Sequence, residues 1–114
     1  MVPNQIHSNK FYYLNKKSRF KRNKFKGDAI ITNQKNIPIG VLTADCVPIL
    51  IYDQKKNMVS AIHAGWKGAY NNIIKNVIKF MLNKGCKSKT ITAAIGPCIS
   101  IKNYEVKKDF IDKF

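Results

Sequence analysis

Met58-Val59-Ser60-Ala61-Ile62-His63 leads through Ala64-Gly65-Trp66-Lys67-Gly68 into the stretch Ala69 to Asn83, and the reading of these residues decides the fold. The first six are mostly apolar over the length of a strand, which predicts β-structure. After Gly68 the period changes. Apolar side chains fall at Ile73, Ile74, Val77, Ile78, Met81 and Leu82, the stripe of a helix with one buried face. Gly85 follows where a helix C-cap is expected. Thr90 to Ile95 reads as the next strand. Strand, helix, strand in this order predicts a right-handed parallel crossover.

Upstream, Gly27-Asp28 is a turn signal, and Ala29-Ile30-Ile31-Thr32 reads as a short strand. Ile39 to Ala44 and Val47 to Tyr52 are two further apolar runs, separated by Asp45-Cys46. Runs this apolar predict strands covered on both faces. Downstream, a last helix is expected from near Asn103 through Val106, Phe110, Ile111 and Phe114, with Glu105 in its first turn. The fold class is α/β in the broad sense, with mixed α and β elements (α+β). No internal repeat and no Gly/Ser/Pro-rich linker divides the 114 residues, so residues 1–114 form one domain.

The composition narrows the function classes. Hydrophobic residues make up 45 % and charged residues 24 %, which is globular usage and argues against disorder. No apolar run approaches the length of a membrane span, and the first residues lack the pattern of a secretory signal. Cys46, Cys86 and Cys98 are odd in number, widely spaced and form no CxxC pair, which disfavours a disulfide framework or zinc finger and suits a reducing cytoplasm. The net charge of +15 invites a nucleic-acid reading. Against it, 19 of the 21 basic residues are Lys, alongside 12 Asn and 16 Ile, the bias an AT-rich coding sequence produces. A nucleic-acid reader favours the Arg fork. Residues 10–26 concentrate eight positive charges among Phe11, Tyr12, Tyr13, Phe20 and Phe25, a mixture that serves base stacking or simply anchors a solvated segment.

Chemistry is sought where reactive side chains are scarce. His7 and His63 are the two histidines, and each borders an apolar stretch. Cys46 sits in the break between two apolar runs. Strand ends are where sheets present reactive groups. Two imidazoles and a thiolate are three protein ligands for Zn²⁺, leaving a fourth position for water or substrate. The alternative is a Cys46 buried in the core and histidines satisfied by backbone. Asp45 is placed to orient a histidine or relay a proton. Gly65 and Gly68 flank Trp66-Lys67 at a strand-to-helix turn, which allows either close approach of an anion, with Lys67 adding charge, or merely a tight turn with Trp66 as a core plug. Cys98 is expected to be buried and Cys86 incidental.

Gln5-Ile6-His7-Ser8, Gly27-Asp28-Ala29-Ile30-Ile31-Thr32, Thr43-Ala44-Asp45-Cys46-Val47-Pro48-Ile49-Leu50, His63-Ala64-Gly65-Trp66-Lys67-Gly68 and Gly96-Pro97-Cys98-Ile99, with Tyr104-Glu105-Val106 after them, occur together and in this order. In this the chain resembles the YfiH/YlmD-like family, also called the multicopper polyphenol oxidase (laccase) domain family. The resemblance implies mixed β-sheets flanked by helices in a layered sandwich. It implies a Zn²⁺ site on His7, Cys46 and His63, with copper the less favoured ion. It also implies phosphorolysis of adenosine, inosine, guanosine and methylthioadenosine, together with deamination of adenosine. Purine nucleosides and phosphate are then the partners, with Asp45 and Lys67 as catalytic candidates and Gly65, Lys67 and Gly68 as a phosphate site. Two departures stand out, Ser8 where the family has Gly and Lys67 where it has Arg. Members of the family are about twice this length, so the chain reads as a partial domain lacking the family's N-terminal and C-terminal portions, either an internal fragment or a divergent short member. A monomer or weak homodimer is expected, with self-association where sheet edges are left uncovered. The alternatives are a copper-dependent polyphenol oxidase, which needs many His ligands, and a basic nucleic-acid-binding module.

Overall fold

The structure, a computed structural model, describes residues 1–18 and 25–113. Five strands form one mixed sheet: β1 (Phe11–Leu14), β2 (Ala29–Thr32), β3 (Val47–Asp53), β4 (Met58–Ala64) and β5 (Ile91–Ile95), in the order β1-β2-β4-β3-β5. β1 runs parallel to β2, and the remaining neighbours are antiparallel. Between β4 and β5 lie α1 (Trp66–Tyr70), α2 (Ile73–Asn83) and a short 3-10 turn, Ser88–Thr90. A last turn of helix, α3 (Lys108–Ile111), follows. Among the described residues no helix is long and apolar enough to cross a membrane.

The stripe on α2 does what its spacing predicts. Ile73, Val77 and Met81 are fully buried against Ala29, Ile31, Ile49, Ile51, Met58 and Ile62 of the sheet. Gly85 follows the C-cap with φ +92, the left-handed conformation that glycine adopts without a Cβ clash. The helical stretch is not continuous. Asn72 takes φ +64, which asparagine tolerates better than most residues, and this breaks the run into α1 and α2. β4 and β5 are parallel, as the crossover reading requires, but β3 lies between them and pairs with both.

Several expectations are corrected. Ile39 to Ala44 forms no strand, because its backbone is taken up by the N-terminal segment. Gly40 N–H donates to Met1 O (3.0 Å), and the Gln5 side chain brackets Leu42 through bonds of 2.8 and 2.7 Å. Coverage on both faces holds for β2 and nearly for β4, but β3 alternates and β5 is largely exposed, with Leu50, Tyr52 and Ile95 open to solvent. The last helix starts at Lys108 rather than near Asn103, so Glu105 lies outside it. β1 falls inside the basic segment, which reads from sequence as a base-stacking surface or as a solvated loop or strand. Phe11 and Tyr13 pack on Phe80, with ring centroids 5.1 and 5.0 Å away, and Tyr12 packs on Phe25 at 4.7 Å. These aromatics therefore serve packing. Phe20, the rest of the basic run from 19 to 24, and Phe114 lie outside the described residues.

Candidate metal centre

The register of the sheet brings the chemistry to one end. Val47 pairs with Ala64, so Cys46 and Gly65 lie one step beyond the end of the β3–β4 ladder. Ala29 pairs with Ile62, and Asp28 is therefore set beside His63, whose N–H donates to Asp28 O at 2.7 Å. His7 arrives from the N-terminal loop. One ligand atom from each of His7, Cys46 and His63 lies within 4.8 Å of the others. His63 is buried, Cys46 half-buried and His7 exposed, so the cluster opens to one side. The two imidazoles meet edge to face at 4.9 Å.

The residue that organises this cluster is Asp28. It is fully buried, and its carboxylate accepts the N–H groups of His7 (3.0 Å), Ser8 (2.6 Å) and Ile6 (3.4 Å), the Ser8 hydroxyl (2.7 Å) and Nδ1–H of His63 (2.9 Å). Burial alone would push this carboxyl up. The donors from Ser8, His63 and His7 outweigh it and hold the group below the usual carboxylate range. With Nδ1 of His63 engaged, Nε2 is the nitrogen left to face the other donors. His7 itself sits at φ +55, a conformation that persists for a non-glycine residue only when its surroundings impose it. From sequence Asp28 reads as part of the turn signal Gly27-Asp28. The available signal is an ionisable side chain directly before Ala29–Thr32, a strand buried at every position.

Cys46 has its thiol pushed up by burial and by the negative charges of Asp45 and Asp28. A divalent cation among these donors would offset that effect, because metal ligation requires the thiolate. The donor set, two imidazoles and a thiol, suits zinc. Gly65 completes the fit. A Cβ at this position would stand 3.0 Å from His7 Cδ2, 3.2 Å from Cys46 Sγ and 3.7 Å from His63 Cε1, so the missing side chain leaves the cradle in which the donors converge. Gly68 likewise lets α1 approach the ligand loop, since a Cβ there would meet Ser8 O at 2.8 Å.

The other candidates are placed as follows. Asp45 is exposed, and it lines a mainly apolar cavity of about 330 Å³ with Cys46, Gly65, Trp66, Ile99, Ile101 and Tyr104. The carboxylate bonded to His63 is Asp28 rather than Asp45. Lys67 is exposed, with Nζ 5.5 Å from the Trp66 ring centroid. Trp66 is half-buried and meets Phe110 edge-on at 4.9 Å, instead of plugging the core. Cys98 is exposed rather than buried. Cys86 is a core residue, with Sγ 3.9 Å from Met58 Sδ, because the turn after α2 folds it back onto β4.

Residues 1–114 match the family described as multi-copper polyphenol oxidoreductase laccase. A purine nucleoside phosphorylase of Aquifex aeolicus is 45 % identical over 89 residues, covering 78 % of this chain and 41 % of that protein. An adenosine deaminase from an unknown prokaryotic organism is 40 % identical over 87 residues, 76 % of this chain and 33 % of that one. The crystal structure of the Bacillus licheniformis hypothetical protein YfiH superposes with a TM-score of 0.87 at 29 % identity, over 98 % of this chain and 45 % of its own. The chain thus spans less than half the length of each.

Proposed function

Because the chain belongs to the multi-copper polyphenol oxidoreductase laccase family, we propose that it carries the metal-binding core of a cytoplasmic purine nucleoside enzyme. Its reactions are phosphorolysis of purine nucleosides and deamination of adenosine. The observation that carries the reading is the convergence of His7, Cys46 and His63 within 4.8 Å beside an apolar cavity. Relatives named purine nucleoside phosphorylase and adenosine deaminase support it.

His7, Cys46 and His63 would hold Zn²⁺, which supplies Lewis-acid chemistry when bound. The chain's own residues do the rest. Asp28 keeps His63 in one tautomer through Nδ1. The cavity walls, Val47, Trp66, Ile99, Ile101 and Tyr104, are apolar enough to take the face of a planar base, with Ile101 and Tyr104 on the side open to solvent. The Asp45 carboxylate, at the same wall, is assigned to hold the proton given up by the attacking water in deamination. Lys67, beside Gly65 and Gly68, is assigned to attract phosphate for phosphorolysis, as a point charge rather than a bidentate fork.

The test is metal analysis of the purified chain beside product chromatography with adenosine and phosphate. Stoichiometric zinc is expected, with adenine reporting phosphorolysis and inosine reporting deamination. His63→Ala should abolish both the zinc and the products. A wild-type chain without bound zinc, or a His63→Ala variant that behaves like wild type, refutes the reading.

A further inference from the structure

We propose that Asp28 is the positioning residue for the metal centre, a single buried carboxylate that docks the N-terminal ligand loop and aims the second histidine at the same time. This rests on the reading of His7, Cys46 and His63 as a metal site. The division of its contacts carries the inference. Oδ1 takes His63 Nδ1 at 2.9 Å and the His7 N–H at 3.0 Å, so one oxygen is shared between the two imidazole-bearing residues. Oδ2 takes Ser8 N–H at 2.6 Å and Ser8 Oγ–H at 2.7 Å, with Ile6 N–H at 3.4 Å. A carboxylate offers about four lone-pair positions, and five contacts converge on them, the long Ile6 contact being the fifth.

The loop is tied on either side, by Gln5 to Leu42 and by Asn9 Nδ2–H to Asn71 O, and between these ties its N–H groups go to Asp28. Residues 6–8 belong to no strand or helix, and the His7 side chain is exposed. Its φ of +55 turns three successive N–H groups inward onto the acid. An ordinary turn aspartate bonds its immediate neighbours. Asp28 instead reaches 20 to 22 residues back to the loop and 35 residues forward to His63. One carboxylate thus sets both imidazole-bearing residues, leaving Nε2 of His63 as the donor and holding His7 within reach. Second partners of this kind typically change metal affinity about 10–100-fold when removed.

The experiment uses the whole chain and Zn²⁺ itself. Asp28→Asn keeps the shape but replaces one acceptor oxygen with a donor. It should bind zinc about 10–100-fold more weakly in competition with a chromophoric chelator. With Co²⁺ as a spectroscopic probe, its ligand-field bands should shift, which a purely structural role would not require. A folded variant with wild-type zinc affinity and an unchanged cobalt spectrum overturns the proposal. If the variant does not fold, the ¹⁵N imidazole spectrum of the metal-free wild type decides. His63 should be the Nδ1–H tautomer with a strongly downfield proton, and an Nε2–H tautomer overturns the proposal. A wild type that binds no zinc refutes the metal reading instead, and the tautomer still judges the Asp28 clamp.

Discussion

Gly65→Ala is the most discriminating single change in this molecule, because it adds one methyl group and alters nothing else. Gly65 has φ −70 and ψ 165, extended backbone open to any residue, so alanine meets no conformational penalty. What the methyl meets is the donor cluster, 3.0 Å from His7 Cδ2, 3.2 Å from Cys46 Sγ and 3.7 Å from His63 Cε1. Comfortable carbon contacts lie at about 3.5–4.0 Å, so the His7 ring and the Cys46 sulfur must each give by a few tenths of an ångström. Ligand distances in a metal site are held to about 0.2 Å, so that displacement exceeds what coordination tolerates. The cost to the fold is smaller, because His7 is exposed and can swing outward. We expect zinc affinity to fall about 10–100-fold, or roughly 1.4–2.7 kcal/mol. The metal-free thermal midpoint should change little. Competition titration measures the first quantity, and thermal unfolding with and without chelator measures the second. A Gly65→Ala protein that binds zinc within twofold of wild type would show that the donors do not converge on this cradle.

Two further outcomes follow from the cysteines and from Asp53. A thiol reagent applied to the native protein should label exposed Cys98 promptly, whereas Cys86, buried and with its thiol pushed up by burial and by Asp53, should react only on unfolding. Equal labelling rates in a mass-spectrometric time course would contradict that placement. Asp53 is held below the usual carboxylate range chiefly by the Thr90 hydroxyl at 2.5 Å, with the Lys56 N–H at 2.7 Å adding to it. Its contribution to stability is therefore present above the ordinary aspartate pKa and lost as pH falls through the lowered one. Asp53→Asn should destabilise the protein near neutral pH and flatten the acid limb of its unfolding profile, and an unchanged limb would assign acid sensitivity elsewhere.

The elements that could be read in advance are those with local physical signatures. Ala29–Thr32, Val47–Asp53, Met58–Ala64 and Ile91–Ile95 are runs whose apolar content leaves little choice but a sheet. The buried stripe Ile73, Val77, Met81 follows from helical periodicity. Elements that depend on a distant partner were not legible. β1 is a strand because β2 offers it a parallel edge, although its own residues are embedded in a basic run. Ile39 to Ala44 has strand composition, but its backbone bonds go to the N-terminal segment. The exposure of Leu50, Tyr52 and Ile95 shows the same limit, since an apolar run states that burial is favourable and not what supplies the cover.

The candidate site divides along the same line. By itself the sequence determined which groups could bind a metal, because only two imidazoles and few thiols exist, and it set them at the ends of apolar runs. The tertiary structure alone decided that His7, Cys46 and His63 share one point in space, across gaps of 39 and 17 residues that carry no local motif. It also decided that Asp28, rather than Asp45, is the acid behind His63. The reason is geometric. Side-chain chemistry is a property of each residue, but convergence depends on strand register and loop docking, which exist only once the sheet has formed.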